Sequence, residues 1–182
     1  TLWKINGVTM DYGGYVFPTI MVGVVNPITL KPWCAENSSG VDCQDCDSYH
    51  CVGQFNGDNS ICPNVFDLTR PRCHYWFMFN MNFPSHMDTL AYFLENYVPD
   101  SSYIIAYSFI YDDYTAFTTG SWGGAPMGAN VQTYWPASLY NAFQNLGATT
   151  FYPGSPNDGF ILFCKKGDPS SVIEIHTPDT LD

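Results

Sequence analysis

Positive charge is scarce in this chain. Six Lys and Arg stand against seventeen Asp and Glu, a formal charge of -11 over 182 residues, so phosphate backbones and anionic lipid surfaces repel it at long range. Nucleic acid is thereby excluded as a partner. Long apolar runs are also missing. IIAYSFIY at 104–111 and FILFC at 160–164 fall far short of the roughly 20 residues that cross a bilayer, and no membrane insertion is expected. The chain opens on Thr1, with no Met and no basic-then-apolar leader, which fits either a processed mature chain or a trimmed one.

Catalytic signatures are as sparse as the basic residues. His50, His74, His86 and His176 are scattered, there is no G-x-S-x-G elbow, and no Cys-His pair has a recognisable context. The segment GSWGGAPMG at 120–128 lacks the Lys and the following Ser or Thr of a phosphate loop. Asp112 and Asp113 are adjacent at a strand end, where consecutive side chains point to opposite sides, so they read as turn or cap residues rather than an acid and base pair. Neither an enzyme nor a cofactor is expected.

Cysteine, by contrast, is concentrated. Six of the seven, Cys34, Cys43, Cys46, Cys51, Cys62 and Cys73, fall within forty residues, and Cys164 stands alone. A structural zinc site usually draws on two ligand pairs, whereas Cys43 and Cys46 form the only C-x-x-C, with no H-x3-H downstream; His50 and His74 are the remaining candidate zinc ligands. That C-x-x-C is embedded in Gly, Ser, Asp and Asn, the composition of a loop rather than of a strand-to-helix redox motif. Asp42, Asp45, Asp47 and Asp58 crowd the same loop and would suit calcium, but the D-x-D-x-D-G-x5-E spacing is absent and a solvated acidic loop is the simpler reading. No metal is therefore assigned. The loop also carries Asn37-Ser38-Ser39, an acceptor sequon for N-glycosylation at Asn37. Together these features point to an oxidising, extracellular setting in which two or three disulfides staple a long loop that has no core of its own. Six cysteines allow 15 pairings, and spacing does not choose among them. Cys164, inside an apolar run that reads as a buried strand, either stays unpaired in the core or tethers the loop to the sheet.

Hydrophobic and aromatic residues, at 46% and 17% of the chain, are enough for one dense, strand-friendly core. Residues 15–25 (YVFPTIMVGVV) predict a strand, and Asn26-Pro27-Ile28-Thr29 predicts a turn. The stretch 73–81 (CHYWFMFNM) predicts a second strand, apolar on both faces. Ser85 is placed as an N-cap with Asp88 in capping-box position, opening a helix whose face is Met87, Leu90, Ala91, Leu94 and Tyr97 and which ends by Pro99. Residues 102–111 return to strand. Pro136 starts a second helix with Leu139, Tyr140, Phe143 and Leu146 on one side and Gly147 at its C-terminal cap. Strands over 149–152, 160–165 and 172–175 complete a single domain of the α/β or α+β class. Residues 1–14 form an N-terminal segment, a candidate added strand or assembly arm, ahead of a domain at 15–182 with a Cys-rich insertion at 33–73.

Three stretches share the order of a known module. LYNAFQNLGATTFYPGSPNDGFILFCKKG at 139–167 holds the Leu146-Gly147-Ala148 turn, Asn157-Asp158-Gly159-Phe160, and Lys166-Gly167 closing a strand. IMVGVVNPITLKP at 20–32 supplies an opening strand and turn, and FLENYVPDSSYIIAYSFIYDD at 93–113 supplies a helix, a Pro-containing turn and a strand ending in a paired Asp. Over about two thirds of the chain this order resembles the ILEI/PANDER-like domain family, the secreted cytokine-like module of the interleukin-like EMT inducers. The resemblance implies a compact β-β-α fold, two packed sheets flanked by short helices, secreted and without known enzymatic chemistry in the cytokine-like members. Related domains include the glycan-binding stem domain of the protein O-mannose N-acetylglucosaminyltransferase. The family's R-D-S-W is represented here by 157–160, where Asp158 alone carries over, and the cysteine loop is an insertion.

One further loop invites a binding role. FTTGSWGGAPMGANVQTYWP at 117–136 sets Phe117, Trp122, Met127, Tyr134 and Trp135 among glycines, in a connection too long to be a mere link. Aromatics of this kind stack on sugars or anchor protein contacts, or else fold back on the sheet as a lid. Trp122, Tyr134, Trp135 and Asp158 are therefore the candidate binding residues. The expected function is a secreted, non-catalytic interaction module that recognises an extracellular protein or glycan. A self-assembling structural subunit of an extracellular filament or matrix stands second, and a calcium-dependent or enzymatic carbohydrate-active module third.

Overall fold

The computed structural model describes residues 3–5, 8–10, 19–33, 47, 77–80, 84–109, 136–149 and 159–177. A short hairpin pairs β1 (Trp3–Ile5) with β2 (Val8–Met10). The main sheet has five strands, β3 (Thr19–Val25), β4 (Phe77–Asn80), β5 (Tyr103–Phe109), β6 (Gly159–Lys165) and β7 (Asp168–Thr177), in the order β4-β3-β5-β6-β7 with every neighbouring pair antiparallel. Helix α1 (Pro84–Tyr92) continues as a π-helical turn over Phe93–Tyr97, and α2 (Ala137–Asn145) precedes β6. The architecture is a mixed α and β one, as the sequence pattern leads one to expect.

The core lies between the sheet and the helices. Strand alternation sends Ile20, Val22 and Val24 of β3, Ile104 and Ala106 of β5, and Phe160, Leu162 and Cys164 of β6 to one side. There they meet Met87, Leu90, Ala91 and Leu94 of the first helical stretch and Leu139, Ala142 and Phe143 of α2 in one buried cluster. The first set was legible as an apolar face; of the second, Leu139, Phe143 and Leu146 were, while Tyr140, expected on that face, is half-buried and Ala142 takes its place in the core. The two helices run parallel: Ser138 Oγ donates to Asp88 Oδ1 at 3.4 Å, and seven residues further along each helix Asn145 Nδ2 donates to Glu95 Oε1 at 3.2 Å. The resemblance implies two packed sheets; the described residues hold one five-stranded sheet with its helices on a single face, and a separate two-stranded hairpin.

Local chemistry explains the element ends. Asn26 Oδ1 accepts from the backbone N–H groups of Ile28 at 2.8 Å and Thr29 at 3.2 Å, an Asx-type turn that reverses the chain after β3 where the sequence predicted it. The helix start differs from expectation. Ser85 lies inside the first turn, because Pro84, whose ring presets a helical φ, already occupies the first helical position. The carbonyl of Ser85 accepts from Thr89 Oγ1 at 2.6 Å. At the far end, Ala148 N–H reaches the Phe143 carbonyl at 3.0 Å and Gly147 N–H the Gln144 carbonyl at 2.8 Å, a Schellman motif with Gly147 at φ +100°. Gly147 is required twice over, since a Cβ there would stand 2.8 Å from the Pro169 backbone. Thr149, expected to open a strand, sits in a bend; residues 150–152 lie outside the described ones.

The π-helical turn has a visible consequence. Val98 N–H donates to the Phe93 carbonyl at 3.0 Å, and the widened turn brings Phe93 and Tyr97 into a stack 5.8 Å apart. Trp33 sets its ring edge-to-face against Phe77, Phe93 and Tyr97 at 6.1–6.5 Å. Trp33 is thus buried core rather than loop.

Candidate interaction face

The sheet has a second face, opposite the one on which the described helices pack. Alternation assigns to it Met21 and Gly23 of β3, Tyr103, Ile105 and Tyr107 of β5, Ile161 and Phe163 of β6, and Ile173 and Ile175 of β7. Strand register lines them in rows: Ile105 faces Phe163, which faces Ile173, and Tyr107 faces Ile161, which faces Ile175. Exposure rises steadily across these rows. Met21 is 2% exposed and the β5 residues are half-buried, but Ile161 and Phe163 are 40% and 38% exposed, and Ile173 and Ile175 are 57% and 51% exposed. The Tyr103 and Phe163 rings stack at 6.1 Å, only 10° from coplanar.

Three polar devices hold this face in place. Glu174, between the two exposed isoleucines, points to the helical side, where its Oε2 accepts from Thr149 N–H at 2.9 Å and Thr149 Oγ1 at 3.2 Å. Alternation alone would put Glu174 in water and its isoleucine neighbours in the core. The bond to the chain leaving α2 inverts β7. Second, Ser171 Oγ accepts from Lys165 N–H at 2.7 Å and donates to the Asp168 carbonyl at 2.6 Å, bridging an irregularity in the β6–β7 register. Third, Lys166 Nζ donates to the carbonyls of Glu95 at 2.8 Å and Val98 at 2.6 Å, closing the C-terminal end of the π-helical turn. Burial lowers the Lys166 pKa, against the attraction of Asp100 and Glu95. Lys166 and Gly167, singled out as a motif closing a strand, are the β6–β7 connection, with Gly167 at φ +83°.

The sequence-predicted residues are distributed differently. Trp122, Tyr134, Trp135 and Asp158 lie outside the described residues, as do Asn37 and the six cysteines from Cys34 to Cys73. Asp112 and Asp113, and the acidic residues Asp42, Asp45 and Asp58, lie there too. Asp47 is described and acts as a clasp, accepting from Asn26 Nδ2 at 2.9 Å and Thr29 Oγ1 at 2.7 Å. Cys164 is free and fully buried among the helix-side residues, and its thiol pKa is pushed up to about 12 by desolvation. Of the two alternatives open for Cys164, the unpaired core thiol is therefore correct. Among the described residues no group of three or more His, Cys, Asp or Glu side chains converges, and no helix is long and apolar enough to cross a membrane.

Sequence reasoning missed the exposed isoleucines. FILFC read as a buried strand, because an apolar run carries no mark of which face will be covered. The Ile-Glu-Ile alternation at 173–175 marks a strand with one apolar side, but by itself it sends that side to the core, so it gave no signal for the exposed isoleucines. No protein-family model matches the sequence, no curated protein matches it, and no solved structure matches its fold.

Proposed function

We propose that this chain is a secreted, non-catalytic interaction module whose open sheet face docks on a protein at the cell exterior. One observation carries the reading: Ile161, Phe163, Ile173 and Ile175 stand exposed side by side in register, next to half-buried Tyr103, Ile105 and Tyr107. Single exposed apolar residues are ordinary, but a contiguous set marks a contact surface. Flat aliphatic rows suit a protein partner better than a sugar, which asks for polar groups around an aromatic platform. A chain of net charge -11 favours a partner whose apolar patch is rimmed by Lys and Arg. The clustered cysteines and the Asn37 sequon support an extracellular location, and the order of helix, Gly147 turn and strand closed at Lys166-Gly167 supports the ILEI/PANDER resemblance. Glycan recognition through Trp122, Tyr134, Trp135 or Asp158 is the version of this function that a different surface would carry.

The test uses the labelled full-length chain and cells of its own source. Saturable surface binding is expected, together with its loss in the double variant Ile173→Asp/Ile175→Asp at unchanged circular dichroism. Binding that survives both aspartates would sink the face as the contact. Loss on glycosidase treatment of the cells and on Trp122→Ala would move recognition to the glycan version. Sedimentation of the same material decides the structural alternative: a monomer at micromolar concentration counts against a filament subunit, and a concentration-independent polymer counts against the soluble module.

A further inference from the structure

The turn after β3 is held by two layers of hydrogen bonds. In the backbone, Asn26 N–H donates to the Lys31 carbonyl at 3.0 Å, Leu30 N–H to the Asn26 carbonyl at 2.9 Å, and Trp33 N–H to the Val24 carbonyl at 2.8 Å. Side chains lock the same turn again. Asn26 Oδ1 holds the N–H groups of Ile28 and Thr29, and Thr29 Oγ1 accepts from Lys31 N–H at 3.3 Å. Asp47, whose N–H donates to the Pro32 carbonyl at 2.9 Å, takes Asn26 Nδ2 and Thr29 Oγ1 on its carboxylate. What this frame presents is apolar. Ile28 is 89% exposed and Leu30 is 49% exposed, so both keep much of their surface in water and contribute little to stability. Leu30 also sits at φ +55°, a left-handed conformation that suits Gly, Asn or Asp and disfavours an aliphatic residue. Exposure and backbone preference thus both argue against leucine there, and strain of this kind concentrates at functional sites. Among the described residues the other non-glycine at positive φ is Ser101, at +71°. It lies at the same end of the sheet, two residues before Tyr103, which pairs with Val25 beside the turn. Residues 26–33 carry no acidic side chain in a chain of net charge -11, and the centres of protein contacts are depleted of charge.

We propose that Ile28 and Leu30 form a preformed knob that enters an apolar pocket on a partner protein. The proposal rests on the interaction-module reading and adds to it a second contact, at one end of the sheet rather than on its open face. Two aliphatic side chains at the tip of a turn ask for a concave apolar complement. An anionic bilayer surface repels a chain of this charge, so the complement is assigned to a protein. The double layer of hydrogen bonds fixes the knob before it meets its pocket, and little conformational entropy remains to be lost on docking.

Three variants of the labelled full-length chain, titrated on intact cells of its own source, test the assignment. Ile28→Ser and Leu30→Gly are each expected to weaken saturable binding at least about tenfold. Leu30→Gly should do so with its thermal midpoint unchanged or raised, because glycine adopts the left-handed backbone without strain. The double variant Ile173→Asp/Ile175→Asp reads the open face separately. Wild-type binding by both turn variants overturns the knob, and loss in the open-face variant alone leaves the interaction-module reading standing without it. Weakened turn variants beside an intact open-face variant keep the knob and remove the open face, and loss in all three supports two contacts. A fall in the thermal midpoint of Leu30→Gly makes Leu30 a structural residue and overturns its place in the knob. Binding that survives protease treatment of the cells overturns the protein pocket, and no saturable binding by the wild-type chain overturns both readings.

Discussion

Leu162 and Phe163 are chain neighbours on β6, yet Leu162 lies under the helices with almost no exposed surface while Phe163 stands on the far side with over a third of its surface in water. The same division runs through the sheet. On one face Ile20, Val22, Ile104 and Leu162 meet Met87, Leu90 and Phe143; on the other, Ile161, Ile173 and Ile175 stay 40–57% exposed. Side-chain chemistry is the same on both faces, so it is not what separates core from contact surface. The helices cover one face; on the other, exposure rises from 2% at Met21 to over half at Ile173 and Ile175. An apolar residue contributes to stability only through the surface removed from water, about 25 cal/mol per Å². The open rows therefore stabilise the fold less than the buried ones and hold their remaining area for a partner.

Truncation on the two faces should break that symmetry most visibly. Leu162→Ala is expected to cost about 2–5 kcal/mol, the range for a fully buried leucine, whereas Ile173→Ala should cost about 1 kcal/mol or less. Denaturant titration of both variants checks the contrast, and equal costs would erase it. The anchoring of the helical cover to β7 comes next. Gly147→Ala forces a Cβ at positive φ to within 2.8 Å of Pro169 and should lower stability by about 1–3 kcal/mol, read as a drop in thermal midpoint.

Alkaline titration sharpens the difference further, since it reads only the covered face. The Cys164 thiol ionises near 9.0 when the chain is unfolded and only near 12 in the fold. Above pH 9 the unfolded chain releases a proton that the native protein keeps, so stability falls as pH rises, with a slope contribution of up to about 1.4 kcal/mol per unit from this group. Cys164→Ala should remove that part of the slope. The smallest effect belongs to the open face: Ile173→Asp and Ile175→Asp, like Ile173→Ala, should each lower stability by about 1 kcal/mol. A larger loss would mean that these side chains are part of the core after all.

The helix pattern at 87–94, the turn at 26–29, the strand at 160–164 and the glycine cap at 147 were all legible, because each is written in local spacing and local dihedral demand. What local spacing cannot carry is inversion by a distant partner. Glu174 turns inward because Thr149, 25 residues away, presents two donors to it, and β7 then shows its isoleucines to water. Trp33 was equally hidden. It stands at the edge of a loop by composition, and only Phe77, Phe93 and Tyr97, brought from β4 and the π-helical turn, make it core.

Alone, then, the order of residues marked the strands at 20–25, 103–109 and 160–165, the helical faces and the net charge of -11, since periodicity, capping and net charge are properties of neighbours and sums. Tertiary structure decided which side of the sheet faces water, that Cys164 stays a thiol, and that Asp47 returns to Pro32. Each of those depends on contacts between segments far apart in the chain, which have no signature until the backbone closes on itself.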